Sequence, residues 1–436
     1  MTETLTRRQL IAWRNAIFTI FALSGLSIAS WVARLPAVRD GLQLDTAQVG
    51  LLIFVMSAGS VIGLVASAPV MLRTGARTGM LLCLLLLTVS LAVIGLGASL
   101  AVSVTMVAIG LALFGFANGA LDVMMNVEGA AAERAIGKTL MPLMHAFFSF
   151  GTVAGAGLGA LASALSIPVA AHLIVMGLII GAAGLVAVRY VPRGAEAGVP
   201  DAAESATASA PQTGTSTAAA PVAKPTFGER LRASLAVWKD LRLLAIGVIM
   251  LGMAFAEGSA NDWLALAVVD GHDQSNTVGA LVFGVFTVSM TLGRVLGGPI
   301  LDRFGRVPVL RVSALLGVLG LLLFIFAPNI WLASVGTVFW ALGCSLGFPV
   351  GMSAAADTDD PKLSAARVSA VAIIGYVAFL VGPPVLGLLG HEFGILHALL
   401  LVLVLVALAG IASPAARERI RRTVAGSPAP EPSAPR

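Results

Sequence analysis

A few side chains carry chemistry that their apolar neighbourhood does not call for. Asn118, Asp122 and Asn126 fall at i, i+4 and i+8 and so share one face of a helix. A carboxylate within an apolar run is costly unless it is paired, protonated or turned toward water, so Asp122 reads as a functional group. Pairing with His145, or a helix-packing hydrogen bond, is the structural alternative. His145, Ser149 and Thr152 follow at i, i+4 and i+7 and form a second polar face. An imidazole that titrates near neutrality can share a proton with a carboxylate, or can be a structural histidine. Glu257 and Asn261 lie on one helix face, with Asp262 and Trp263 just beyond; Ser24, Ser27, Trp31 and Arg34 share another. Arg294 is a single cation inside an apolar run, and Tyr376 a phenolic hydroxyl in another.

The elements that must position these groups follow from composition. Of 436 residues, 58% are hydrophobic and 11% charged, with a mean hydropathy of +0.96. Soluble domains carry about 25% charged residues, so a water-facing surface cannot be covered and a soluble enzyme is excluded. Forty-eight glycines without a G-X-Y period exclude a fibrous protein. Cys83 and Cys344 both lie in apolar runs, which predicts buried free thiols. A transmembrane helix needs about 20 apolar residues, and twelve such runs can be placed: 12–34, 46–69, 78–98, 101–126, 140–165, 167–190, 242–268, 276–300, 308–327, 330–355, 365–390 and 393–413. The fold class is therefore an all-α membrane protein of twelve transmembrane helices.

Six runs precede and six follow residues 194–226, a stretch of Ala, Pro, Ser, Thr and Gly too poor in apolar side chains to offset its ordering entropy. The predicted organisation is an N-terminal bundle (1–193), a disordered linker (194–226), an amphipathic surface helix (227–241), a C-terminal bundle (242–413) and a disordered tail (414–436). Of the 27 basic residues, 24 fall on the face that also carries the linker and both ends, which predicts that this face is cytoplasmic. The basic residues form short clusters between apolar runs, without a stripe interleaved with aromatics, so nucleic acid is not an expected partner. The Arg and Ala bias suggests a bacterial inner-membrane protein.

The halves resemble each other. Trp31-Val-Ala matches Trp263-Leu-Ala, Pro69-Val-Met-Leu-Arg-Thr-Gly matches Pro299-Ile-Leu-Asp-Arg-Phe-Gly, Gly115 and Gly119 match Gly343 and Gly347, and Gly155 matches Gly382. Parallel six-helix repeats with a site between them are a transporter architecture.

The loop Gly298-Pro-Ile-Leu-Asp302-Arg303-Phe-Gly305-Arg306 resembles the G-x-x-x-D-R-x-G-R signature of the major facilitator superfamily. That resemblance implies two pseudo-symmetric six-helix bundles that rock between inward-open and outward-open states, braced by this loop. Gly298 permits close packing, Gly305 a tight turn, and Asp302 with Arg303 and Arg306 can bridge helix ends. The first-half copy carries Leu72 where the acid belongs, so Asp302 is expected to carry more of the gating. Further segments, among them Leu121-Asp-Val-Met-Met-Asn126 and Glu257-Gly-Ser-Ala-Asn-Asp-Trp263, resemble the MosC-like (YbjJ-like) branch, distantly similar to fucose-type proton symporters. Leu121-Asp-Val-Met-Met-Asn126 is similar to their Leu-Glu-x-x-x-Asn, whose acid carries the proton, which implies that role for Asp122. In the superfamily spans 1 and 7 line the central cavity. This implies substrate contacts for Trp31, Asn118, Asn126, Ser149, Glu257, Asn261 and Tyr376, and an extracellular gate in which Arg34 pairs with Glu257 or Asp262. For Trp31 and Trp263 the alternative is an interface anchor and for Arg34 and Asp262 ordinary interfacial charges, while Arg294 is expected to brace the gate loop rather than contact substrate. Gly151 to Gly159 approaches a drug-antiporter pattern, but Ala156 replaces its defining proline.

No P-loop, metal-ligand cluster or nucleophile elbow occurs in the sequence, so no cofactor, metal or enzymatic reaction is expected. The expected function is secondary transport of a small polar, sugar-like solute, with the lipid bilayer, the solute and H+ as partners and a monomer as the unit. Efflux of drug-like or metabolite compounds, and a receptor or scaffold that has kept the fold without transport, are the alternatives.

Overall fold

The structure is a computed structural model that describes residues 6–138, 140–192, 237–358 and 361–418. Among them, eleven helices are long and apolar enough to cross a membrane. The longest, Thr46–Ser99, is two spans joined at Gly75, whose φ of 75° and ψ of 157° are non-helical, so the chain carries twelve spans. Span 1 is Arg7–Val32, followed by a short helix Leu35–Leu42 on the side away from the linker, called here the far side. Spans 2 and 3 are the two parts of Thr46–Ser99, span 4 is Val104–Ile136, span 5 Met141–Ala164 and span 6 Val169–Val188. Spans 7, 8 and 9 are Leu241–Gly271, Asn276–Phe304 and Arg306–Ile325. Span 10 is broken into Ile330–Cys344 and Gly347–Ala356; spans 11 and 12 are Pro361–Phe393 and Ile395–Ala412.

Local chemistry sets the helix starts. The Asp45 side chain accepts from the Gln48 N–H while the Gln48 side chain accepts from the Asp45 N–H, a capping box that opens span 2. Ser103, Ser275 and Asn329 cap spans 4, 8 and 10 in the same way from one side. Glu133 accepts the N–H groups of Leu140 and Met141 at 2.6 and 2.8 Å, so it caps span 5 rather than answering neighbouring basic residues.

Between helices the packing depends on residues without a side chain. A Cβ on Gly115 would stand 1.9 Å from the Met56 carbonyl oxygen, and one on Gly151 would stand 2.0 Å from that of Ala22. The face of span 5 that carries Gly151, Gly155 and Gly159 thus lies against span 1. Without a hydrophobic drive between helices in lipid, such close backbone approach is the main source of cohesion. Both cysteines are buried and free.

The predicted gate-loop turns are present in both halves. Gly75 and Gly305 have nearly the same backbone, φ 75° and ψ 157° against φ 75° and ψ 170°, a conformation open essentially to glycine alone. The predicted linker and most of the predicted surface helix lie outside the described residues. Of the latter, 237–239 form a single 3₁₀ turn, and Asp240 caps span 7. The second bundle extends past 413, because Ser413–Ala416 make a 3₁₀ turn whose Ala415 carbonyl accepts from Arg242.

The two halves meet on the far side. Gly387 of span 11 packs on Gly50 of span 2, with a Cβ at Gly387 only 2.9 Å from the Gly50 Cα. Ala33, Ala160 and Ala280 form a small buried cluster across spans 1, 5 and 8. Two polar contacts close the seam: Arg39 donates to Asp270 at 2.5 Å, and Asn276 donates to Asp40 at 3.1 Å. Among the described residues, these are the hydrogen bonds that join the halves, and both lie away from the linker.

Candidate functional site

Asp122 sits in the middle of span 4, yet its side chain is exposed. Its charge reaches Tyr376 of span 11 in the other bundle, so it faces the space between the halves. Its hydrogen-bond partner is on its own helix: Asn126 Nδ2 donates to the Asp122 backbone carbonyl at 2.8 Å and to its Oδ1 at 3.3 Å. No cation pairs with Asp122 among the described residues. One turn earlier, Asn118 accepts from Ser24 of span 1 at 3.0 Å, so the i, i+4, i+8 face divides between helix packing and the interior space.

His145 is exposed near the linker end of span 5, with its ring edge-on to Phe21 at 5.3 Å. It makes no hydrogen bond to Asp122; the charge that acts on it is that of Arg294. Ser149 is buried and donates to the His145 carbonyl, which leaves its hydroxyl engaged with its own helix rather than with a solute.

The second half supplies an ion pair. Arg294 Nη2 donates to Glu257 Oε1 at 2.7 Å, joining spans 8 and 7, with the Arg294 side chain 38% exposed and that of Glu257 15%. Arg294 therefore serves the interior rather than the gate loop below it. Tyr376 of span 11 is 40% exposed and lies within electrostatic reach of Asp122. The space between the halves thus collects Asp122, Asn126 and His145 from one bundle and Glu257, Arg294 and Tyr376 from the other. Asn261 is half-buried on span 7 one turn from Glu257.

Several expectations change. Trp31 and Trp263 are 1% and 0% exposed, packed in the bundle cores, so neither stacks on a solute nor anchors at the interface. Arg34 pairs with neither Glu257 nor Asp262. It is 4% exposed and donates to the Ile167 carbonyl at 2.6 Å, because its position just past span 1 turns it toward the loop between spans 5 and 6. Glu257 is satisfied instead by Arg294. Asp262 lies with Ser259, Phe379 and Gly382 around a small space between spans 7 and 11. On the linker side, Asp302 and Arg303 are exposed, Arg303 stacks over Phe304 at 5.3 Å, and Asp302 has no ion-pair partner among the described residues. Arg306 instead donates to Asp357 and Ser353, each at 3.0 Å, within the second half. A Cβ at Gly298 would meet nothing within 4 Å, so the close packing expected there is absent. The hydrogen bonds that join the halves among the described residues lie on the far side, so none of these gate-loop residues has a hydrogen bond across the seam.

The far-side pair Arg39–Asp270 was not foreseen. Its signal was present, because Arg39 is one of very few basic residues on the face otherwise depleted of them.

Comparison with known proteins agrees with this geometry. The sequence profile of the Major Facilitator Superfamily matches residues 16–277 and 258–435. The chain is 27% identical over 417 residues to an uncharacterized transporter, y4wD, of Sinorhizobium fredii, covering 94% of this chain and all of that protein. It is 23% identical over 399 residues to membrane protein MosC of Rhizobium meliloti, covering 92% and 89%. Among solved structures, a bacterial homologue of the human lysosomal transporter Spinster, inward-facing and unoccupied, superposes with a TM-score of 0.69 at 14% identity, over 94% of this chain and 98% of that one. The transporter FucP in its outward conformation gives 0.60 at 16% identity, over 94% and 100%.

Proposed function

The chain belongs to the Major Facilitator Superfamily, and on that premise we propose that it is a proton-coupled secondary transporter of a small polar, sugar-like solute, with Asp122 as the coupling carboxylate. The observation that carries the reading is a mid-span carboxylate, exposed to the space between the halves and without a cationic partner among the described residues. Such a group changes its charge at least cost when water reaches it from one side at a time.

The cycle follows from this placement. With the linker side open, water reaches Asp122 and the proton leaves. Asn126 steadies the resulting carboxylate through its Nδ2–H donor. Solute bound between Asn126 and Tyr376 spans both bundles, so binding and release are tied to the rocking of one half on the other. The Glu257–Arg294 pair keeps the second half neutral through the cycle. The gate loops hold the linker side when closed, with Asp302, Arg303 and Arg306 reaching across, and the linker side is cytoplasmic. The functional unit is a monomer in a bacterial inner membrane.

FucP is described as a fucose:proton symporter of E. coli and NupG as a nucleoside transporter. Polar interior groups and cores that enclose the tryptophans favour a hydroxyl-rich solute over a bulky apolar one. A thermal-shift screen of the purified protein against sugars, inositols, nucleosides and amines identifies the solute, since a ligand of the folded state raises its apparent stability. Proteoliposomes then test the coupling: accumulation of that solute should need an inward proton gradient. Equal accumulation with and without the gradient would remove the proposal.

A further inference from the structure

We infer that Arg34 and His172 form a buried binding site for a small inorganic monoanion of the chloride class, at the far-side junction of spans 1, 5 and 6. The guanidinium of Arg34 is 4% exposed and uses one donor, Nη2, on the Ile167 carbonyl. Its Nε and Nη1 are buried and have no partner. His172 is 7% exposed, and neither of its ring nitrogens has a partner. The two are neighbours: the Arg34 charge acts on the His172 ring, and the Gly159 face of span 5 meets both Ala33 and His172.

Charge conservation makes the case stronger. Neither Asp nor Glu occurs in Arg7–Val32, Met141–Ala164 or Val169–Val188, the spans that enclose the site. Of the far-side acids, Asp40 is engaged with Arg39 and Asn276 and Asp270 with Arg39, while Asp262 lies between spans 7 and 11 and makes no ion pair with Arg34. The carbonyl ends of spans 1 and 5 contribute partial negative charge, yet they leave two guanidinium donors and the imidazole without an acceptor. A buried cation without a counter-charge is among the costliest arrangements a fold can hold. A monoanion seated between Nε, Nη1 and an imidazole N–H neutralises the charge and satisfies the donors in one step. The burial of both side chains, 4% and 7% exposed, restricts the ligand to a small ion and keeps lipid headgroups out.

The site has no part in the coupling chemistry proposed for Asp122, so it is tested without transport. Thermal unfolding of the full-length purified chain is followed in sodium gluconate, with chloride replacing gluconate at constant ionic strength. A saturable upward shift of about 2 °C or more is expected, reproduced by bromide and nitrate and not by sulfate. Arg34→Met should abolish the shift, and His172→Phe should raise the chloride concentration needed for half of it about tenfold. Should Arg34→Met fail to fold, the His172→Phe titration and the anion series decide. A wild-type protein indifferent to the anion, or a response that both variants keep, would overturn the site. So would a stabilisation by anionic lipid in nanodiscs that replaces the chloride response.

Discussion

The two bundles share one plan and differ in how they treat charge at its centre. Gly75 and Gly305 turn the same way, and Trp31 and Trp263 fill equivalent core positions. At mid-membrane depth the likeness ends. The first half presents Asp122, whose side chain is hydrogen-bonded, among the described residues, to a neutral amide on its own helix. The second half presents Glu257, tied to Arg294 of the adjacent span. A paired carboxylate keeps its charge, whereas one with only an amide partner is ready to exchange it for a proton. On the reading proposed above, this difference puts the coupling proton in the first half and a paired carboxylate at the matching depth of the second, where Asp262 lies apart between spans 7 and 11.

The largest effect should come from Asp122→Asn. Accumulation driven by a proton gradient should fall more than tenfold, while solute counterflow, which needs no net proton movement, should persist. Glu257→Gln strands the Arg294 charge in the interior. Transport should fall several-fold and apparent stability should drop, and the double variant Glu257→Gln with Arg294→Gln should recover part of the stability. If Glu257→Gln abolished the pH dependence and Asp122→Asn preserved it, the two halves would have to exchange roles.

At the gate turns the halves should behave alike. Gly75→Ala and Gly305→Ala force the same glycine-only backbone, each at about 1–3 kcal/mol, read as lowered thermal stability. Unequal losses would show that the missing acid at Leu72 changes the turn as well as its partners. On the far side, Asp270→Asn removes one exposed ion pair and Arg39→Gln removes that pair and the one with Asp40, each pair worth about 0.2–1 kcal/mol. Thiol labelling of a cysteine placed at Ala33 should then speed up, because the seam opens more often.

A pH-dependent effect lies on the linker side of the second half. Burial raises the Asp240 carboxyl, but its hydrogen bond with Arg367 and the N–H groups of Leu243 and Arg242 outweigh this and hold it below the ordinary carboxylate value. A depressed value means that the unfolded chain binds the proton more readily. The contribution is therefore complete above about pH 4 and is lost as acidity increases below it. Asp240→Asn should flatten the acid limb of the stability profile.

Much of the fold was legible because hydropathy and glycine placement act locally. The apolar runs mark the spans, and the repeated Pro-x-x-x-x-x-Gly pattern around Gly75 and Gly305 marks matching turns. Asp122 was legible because a carboxylate among apolar neighbours stands out by itself. The Glu257–Arg294 pair was not, since its partners are 37 positions apart on separate helices and only packing decides that they meet. Helical spacing placed Trp31 and Ser149 on faces with polar neighbours, but it cannot tell an inward face that lines a cavity from one that packs on a helix. Arg34 shows the same limit: its register was read correctly, whereas its direction depends on the loop at Ile167.

The central claim is that Asp122 holds the coupling proton, and counting protons tests it most directly. Purified wild-type and Asp122→Asn proteins are titrated side by side between pH 5 and 9 in detergent, with a pH-indicator dye reporting the protons bound. The account predicts one proton fewer per chain in Asp122→Asn, with an unchanged count in Arg294→Lys. Equal proton counts in wild type and Asp122→Asn would contradict it.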